Sequence, residues 1–188
     1  DESGSTPLEW CEGDKRTSAL LRKHGGKTSN ELDNKEPEKK TEEDIARQEN
    51  QEQESLFTAL FQAAIDGNVD MLKQHLEDGA EINQTGIGYG ATPLSMALAG
   101  GHLEASKLLI EKGANVNAIV DGGGNLLFFI ASSGKKDLVE LLLNNGAKVN
   151  HTNKYGDTPL DEADDEKIAD LIRKHGGKTG AELKAEGK

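Results

Sequence analysis

Three Gly-Ala pairs recur along the chain, Gly79-Ala80, Gly113-Ala114 and Gly146-Ala147, at a nearly constant period. A period of roughly 33 residues marks stacked supersecondary units, none of which buries its apolar face without a neighbour. Two further series keep the register: Gly67, Gly101 and Gly134 with the same spacings, and Thr92, Asn125 and Thr158 with a uniform one. Between these markers apolar residues stand at helical spacing: Val69, Leu72 and Leu76, then Leu103, Leu108 and Leu109, then Leu138, Leu141 and Leu142. Each unit therefore reads as two short helices. One glycine series falls where the chain reverses between them, and the Gly-Ala pairs fall where the second helix stops. Thr92 and Thr158 precede Pro93 and Pro159, so a hydroxyl caps a helix whose first position tolerates proline, because that N–H has no partner anyway. Asn125 keeps the cap in the third unit.

These residues resemble the ankyrin repeat family. The resemblance is carried by ATPLSMALAGGHLEASKLLIEKGANVNA (Ala91 to Ala118), NLLFFIASSGKKDLVELLLNNGAKVN (Asn125 to Asn150) and YGDTPLDEA (Tyr155 to Ala163), against the family's T-P-L-H and L-L-x-x-G-A-x-V-N patterns. It implies an all-α, ankyrin-like helical solenoid of about four helix-turn-helix repeats over 55–183, with units near 55–83, 84–117, 118–150 and 151–183 joined by inter-repeat loops. No unit keeps the family's histidine after T-P-L. Ser95, Phe128 and Asp161 stand there, which puts in question the hydrogen bonds that this histidine makes to neighbouring loops.

The stretch RKHGGKT occurs twice, at Arg22 to Thr28 and at Arg173 to Thr179. A phosphate-binding loop needs a glycine well before its G-K-[ST], and Leu21 and Ile172 stand at that place instead. The duplication is structural. The interval from Thr158 to Gly176 is shorter than its equivalents, Thr92 to Gly113 and Asn125 to Gly146. The last unit therefore reads as a shortened pair closing the array, followed by the polar tail KTGAELKAEGK. Thr6 to Leu32 repeats this cap almost residue for residue. Residues 1–33 thus read as the stranded closing cap of an upstream array, with an apolar face (Leu8, Trp10, Leu20, Leu21) that frays or docks loosely on the first unit around Leu56, Phe57 and Leu60. Residues 34–54 hold eight acidic and four basic side chains and almost no apolar ones. They read as a charged linker, disordered or helical up to Ser55.

The chain's 34 acidic against 22 basic residues give a formal charge of −12, which repels nucleic acid and anionic membrane surfaces. Cys11 is the only cysteine, so neither an intramolecular disulfide nor a cysteine-based zinc cluster is expected, and a reducing, cytoplasmic setting is the natural expectation. No run approaches the apolar length of a membrane span. The first residue is Asp, so the natural start is expected to lie upstream. The histidines are scattered, Asp164-Asp165 lacks the spaced acids of a calcium loop, and the glycine strings TGIGYG and DGGG lack the strand and acidic partner of a dinucleotide site. No catalytic, cofactor or metal residues are assigned, and the chain is expected to be a non-enzyme and a monomer.

What the resemblance implies instead is a surface. In ankyrin-like proteins the loop tips and the exposed side of each first helix hold partners. Those offsets fall here on Ile87, Tyr89, Ile119, Asp121, Lys154, Tyr155 and Asp157 in the loops and on Ser132 and Ser133 at a helix end, with Ile65 and Ala99 as earlier equivalents. The expected function is a protein–protein interaction module. The alternative is a regulatory or targeting arm of a larger multidomain enzyme.

Overall fold

The computed structural model describes residues 41–86 and 90–187, with the backbone alone at Asp121. The expected N-terminal cap 1–33, the start of the charged segment, Ile87 and Tyr89 lie outside the described residues. The chain divides after Gln48, and the unit Glu49–Lys188 carries the repeats.

Among the described residues there are eight α-helices: α1 Glu42–Asp66, α2 Val69–Glu77, α3 Pro93–Gly100, α4 Leu103–Glu111, α5 Leu126–Ala131, α6 Lys136–Asn144, α7 Glu166–Lys174 and α8 Gly180–Ala185. A turn of 3-10 helix, Asp121–Gly123, and an isolated antiparallel bridge, Ile119 to Asn125, complete the regular structure of the described residues. The fold is an all-α repeat stack. Helices α3 and α4 pack as one pair and α5 and α6 as the next; α3 lies beside α5, and the second helices line up in the order α2, α4, α6, α7. Leu72, Leu109, Leu142 and Ile172 are wholly buried along this line, as are Leu60 and Leu98 on the first helices, each worth about 1.5–3 kcal/mol of apolar transfer.

Helix α1 opens the first unit. Thr41 and Asp44 exchange cap bonds, the Thr41 N–H donating to Asp44 Oδ2 at 3.2 Å and the Asp44 N–H to Thr41 Oγ1 at 3.2 Å. Of the two forms open to the charged segment, residues from Glu42 onward take the helical one, and 41–55 are exposed throughout. Beyond Leu56 the helix becomes amphipathic: Phe57, Leu60 and Ala64 face inward at spacings of three and four, while Thr58, Ala59 and Gln62 face outward. Leu60 belongs to the core of the stack, at 0% exposure, and Phe57 is buried with its ring centre 5.5 Å from that of Phe61.

The fourth unit corrects one expectation. Its shortage of residues is taken from the first helix, which shrinks to a turn at 159–162, and α7 alone completes the stack. The segment read as a polar tail forms α8, started by a capping box in which Thr179 and Glu182 each bond the other's backbone. Of the apolar residues at helical spacing in the third unit, Leu141 is half-buried, and its neighbour Leu142 is wholly buried.

Candidate protein-binding surface

Each inter-repeat loop closes on itself as a short finger. The Gly86 N–H donates to the Ala91 carbonyl at 2.8 Å, that of Val120 to Gly124 at 2.9 Å, and that of Asn153 to Asp157 at 2.9 Å. Neighbouring fingers touch. The Lys154 N–H donates to the Gly122 carbonyl at 3.3 Å, and the His151 ring meets the Gly123 carbonyl at 2.8 Å through Nε2. Gly90, at φ +62°, lies so close to the Ile119 carbonyl that a Cβ there would sit 2.8 Å from it. The tips therefore form one continuous row.

Two ladders of side chains hold this row on the helices. Asn83, Asn117 and Asn150 each bridge to the turn after the next second helix. The Asn117 amide donates to the Gly146 carbonyl at 3.1 Å and accepts from the Lys148 N–H at 2.8 Å; Asn83 does the same for Gly113 and Asn115, and Asn150 for Gly176 and Lys178. The second ladder ties first helices together. His102 Nε2 bonds the Ile65 carbonyl at 2.9 Å, and Lys135 Nζ donates to the Ala99 carbonyl at 2.7 Å, so each of these first helices has a C-terminal carbonyl capped by a side chain from the following turn or unit. Gly67 makes room for the first of these contacts, since a Cβ there would collide with the His102 ring.

Two of the three positions lacking the family's histidine are bonded through their side chains: Ser95 completes a capping box with Thr92, and Asp161 collects the fourth unit; in the third unit, where Phe128 stands, Asn125 caps α5 and donates to the Lys148 carbonyl at 2.9 Å. One oxygen of Asp161 accepts from the Thr158 N–H and hydroxyl, both at 2.8 Å, and from the Gly180 N–H at 2.7 Å. Its partial burial pushes the carboxyl upward, but the bonds from the Thr158 N–H, the Gly180 N–H and the Thr158 hydroxyl outweigh it and hold the group below the usual carboxylate range. The Thr158 hydroxyl also lies 2.7 Å from the Lys178 carbonyl, and having one proton it serves either acceptor in turn. The network questioned from the sequence is thus made by other residues.

On this scaffold the expected binding residues separate into two groups. Ile119 and Tyr155 project from the finger row with 47% and 76% of their surface exposed, and the Lys154 ammonium lies 5.1 Å from the centre of the Tyr155 ring. Asp121 begins the turn at the tip of its finger. Asp157 is half-buried and serves its own finger, bonding Asn153 through both its N–H and its carboxylate. Ser132 and Ser133 stand apart from the tips, exposed at the C-terminal end of α5, and the Ser133 hydroxyl donates to the Ile130 carbonyl at 2.7 Å. Counting only the last positions of each first helix missed Phe129, which is 42% exposed one turn earlier; Ile65, at 40%, falls on the counted offset. The asparagine ladder had a signal too, since its members keep the period of the glycine series, but a spacing gives no bond partners. An open groove of about 830 Å³ runs between the last finger and α8, with Tyr155 and Lys184 both in its lining.

Among the described residues no three His, Cys, Asp or Glu side chains converge as metal ligands would, and no helix is long and apolar enough to cross a membrane. A stack of paired helices with bonded finger loops is a repeat scaffold of the kind whose chemistry lies on its surface. Comparison with known proteins agrees: residues 40–120 match the family model described as ankyrin repeats (3 copies), and residues 127–163 match ankyrin repeats (many copies). The chain belongs to the ankyrin repeat family. It is 34% identical over 117 residues to the B-cell lymphoma 3 protein homolog of Mus musculus, covering 62% of this chain and 26% of that one. It is 35% identical over 105 residues to the ankyrin repeat and KH domain-containing protein mask of Drosophila melanogaster, covering 55% of this chain and 3% of the relative. With the human ankyrin repeat and KH domain-containing protein 1 it shares 36% over 104 residues, 54% of this chain and 4% of the other. The chain thus spans about a quarter or less of the length of these relatives.

Proposed function

We propose that this chain is a non-enzymatic protein-binding module, which holds a partner along the finger row and the exposed side of its first helices. The observation that carries this reading is the set of large apolar side chains left in water on these elements, Ile65, Ile119, Phe129 and Tyr155, while the core beneath them is closed. Ile45 and Met71 are exposed elsewhere, and scattered exposed apolar residues of that sort are ordinary; a concentration on the two elements from which the family binds proteins is not. A rigid aromatic such as Tyr155 supplies contact area at low entropic cost, and a few such anchors carry most of the energy of an interface. The acidic charge disfavours nucleic acid as the occupant.

Affinity capture from lysate with the wild-type chain and with an Ile119→Ser, Phe129→Ser, Tyr155→Ala variant tests this, with thermal unfolding run alongside. Specific proteins should be lost from the variant at unchanged stability. Identical captures from both would count against the surface.

The second reading, a regulatory or targeting arm of a larger enzyme, draws on the small share of each relative that this chain spans. It also draws on a relative from Arabidopsis thaliana, 33% identical over 126 residues, that carries E3 ubiquitin-protein ligase in its name. The mass of the natural protein tests it, since a mass well above 20.2 kDa with a catalytic segment attached would favour the arm.

A further inference from the structure

The ladder that caps the first helices has two occupied rungs and stops. Ile65, Ala99 and Ser132 are equivalent positions, one repeat period apart, each at the C-terminal end of a first helix. The carbonyl of Ile65 receives the His102 ring and that of Ala99 receives the Lys135 ammonium, both from the residue that opens the next unit's second helix. The residue that opens the next one again is Asp165. Its carboxylate is turned to its own helix, where Oδ1 accepts from the Lys167 N–H at 2.7 Å. Among the described residues, therefore, the Ser132 carbonyl has no side-chain donor of the kind its two equivalents have.

A helix C-terminus carries partial negative charge, and its last carbonyls favour a cation or a hydrogen-bond donor. Lys135 and Lys136 follow Ser132 in the chain, Lys135 being engaged at the Ala99 carbonyl, and the residues in register on the next unit are acidic. Asp165 takes the place of a basic or imidazole side chain, and Glu162 stands in register with Phe129 and Met96 on the shortened unit. Beside this third rung, one turn back along α5, Phe129 presents an exposed aromatic ring, 42% accessible. Met96, its equivalent on the adjoining α3, is half-buried next to it in the register. An apolar strip thus adjoins, in the register, a helix end whose Ile130 carbonyl is bonded by Ser133 but whose Ser132 carbonyl lacks the donor from the next unit.

We infer that this end of the surface takes a partner segment that carries a lysine or arginine next to an apolar side chain: the cation donates to the Ser132 carbonyl and completes the ladder, and the apolar side chain lies on Phe129 and Met96. The inference rests on the reading of the first-helix face as a protein-binding surface, and it names the chemistry of what binds there. The occupant is argued from charge complementarity and from the molecule's own solution at the two preceding rungs, where the donors are an imidazole and an ammonium. An acidic or uncharged apolar segment leaves the carbonyl uncapped, and an acidic one adds repulsion from Glu162 and Asp165.

The test uses the full chain and a displayed library of random dodecapeptides, followed by affinity measurement on one selected peptide and on that peptide with its basic residue replaced by norleucine. Selection should enrich lysine or arginine adjacent to an apolar residue. Loss of the basic residue should weaken binding about tenfold or more, as expected for a charge-assisted bond, and so should Phe129→Ala. The decisive variant is Asp165→Lys, which supplies from within the chain the side chain found at Lys135. Helix α6 forms without a side-chain cap bond at Lys135, so α7 has a precedent for that change. Asp165→Lys should abolish the advantage of the basic peptide over its norleucine form, whereas Asp165→Asn should keep most of it. Selected peptides without basic residues, or an advantage that survives Asp165→Lys, would overturn the inference and leave the protein-binding reading standing. A library from which nothing is enriched would remove both.

Discussion

Removing one rung of the asparagine ladder measures how strongly neighbouring repeats depend on it. In the structure Asn117 makes two bonds to the following unit, to Gly146 at 3.1 Å and from Lys148 at 2.8 Å, and both groups belong to the turn that ends α6. A neutral hydrogen bond contributes about 0.5–1.5 kcal/mol net, so Asn117→Ala should cost about 1–3 kcal/mol. The lower half of that range is expected, because water reaches the carbonyl and N–H left behind. Asn117→Asp separates the two bonds: its carboxylate still accepts from Lys148 but faces the Gly146 carbonyl with no proton to give, so it should fall below wild type by at least the donor bond. Urea unfolding followed by circular dichroism is the assay. With a slope of about 1–3 kcal/mol per molar, a loss of about 2 kcal/mol moves the midpoint by roughly 1 M. An Asn117→Ala midpoint within experimental scatter of wild type, at unchanged slope, would refute the claim that the ladder couples the repeats. So would an Asp variant as stable as the parent.

Leu142→Ala removes a wholly buried side chain from α6, which packs between α4 and α7, and should cost about 2–5 kcal/mol in the same assay; a cost below about 0.5 kcal/mol would mean that the stacking register is wrong. Asp161 gives a pH signature. Its carboxyl is held below the usual range in the folded chain, so the stability it contributes is fully present above the unfolded-state value and is lost as pH falls through the folded one. The stability difference between wild type and Asp161→Ala should therefore be constant near neutrality and shrink on acidification below the ordinary carboxylate range. A difference that grew there would reverse the assigned sign.

Much of this architecture was legible because stacking imposes a period. The marker series placed the helix pairs of the first three units, and Thr92 and Asn125 sit at the helix starts where a capping residue was required, whereas Thr158 opens a turn. The finger row was legible as a row, and Ile119 and Tyr155 are exposed on it. Amphipathic spacing was less decisive within a helix. Leu141 and Leu142 are adjacent in a leucine run, and only the direction of α6 against α4 decides which one is wholly buried. The charged segment before Ser55 gave no periodic signal, since a helix exposed on every side has no apolar stripe to read.

The histidine after T-P-L is the instructive case. Read as a pattern, its absence removes a hydrogen-bonding group from every unit. Read as a physical requirement, it leaves a helix start with N–H groups to satisfy and a neighbouring loop to hold, and more than one side chain can meet that demand. Ser95 meets the first part through a reciprocal cap. In the third unit the task passes from the residue after the motif to Asn125 itself, which accepts from the Phe128 N–H and donates to the Lys148 carbonyl. In the fourth a carboxylate accepts from Thr158 and from the first N–H of α8, so the same position that starts the unit also fixes the terminal helix. An acid there suits a position whose partners are all donors. That explains why the segment after Lys178 is folded onto the stack where its composition alone read as a tail.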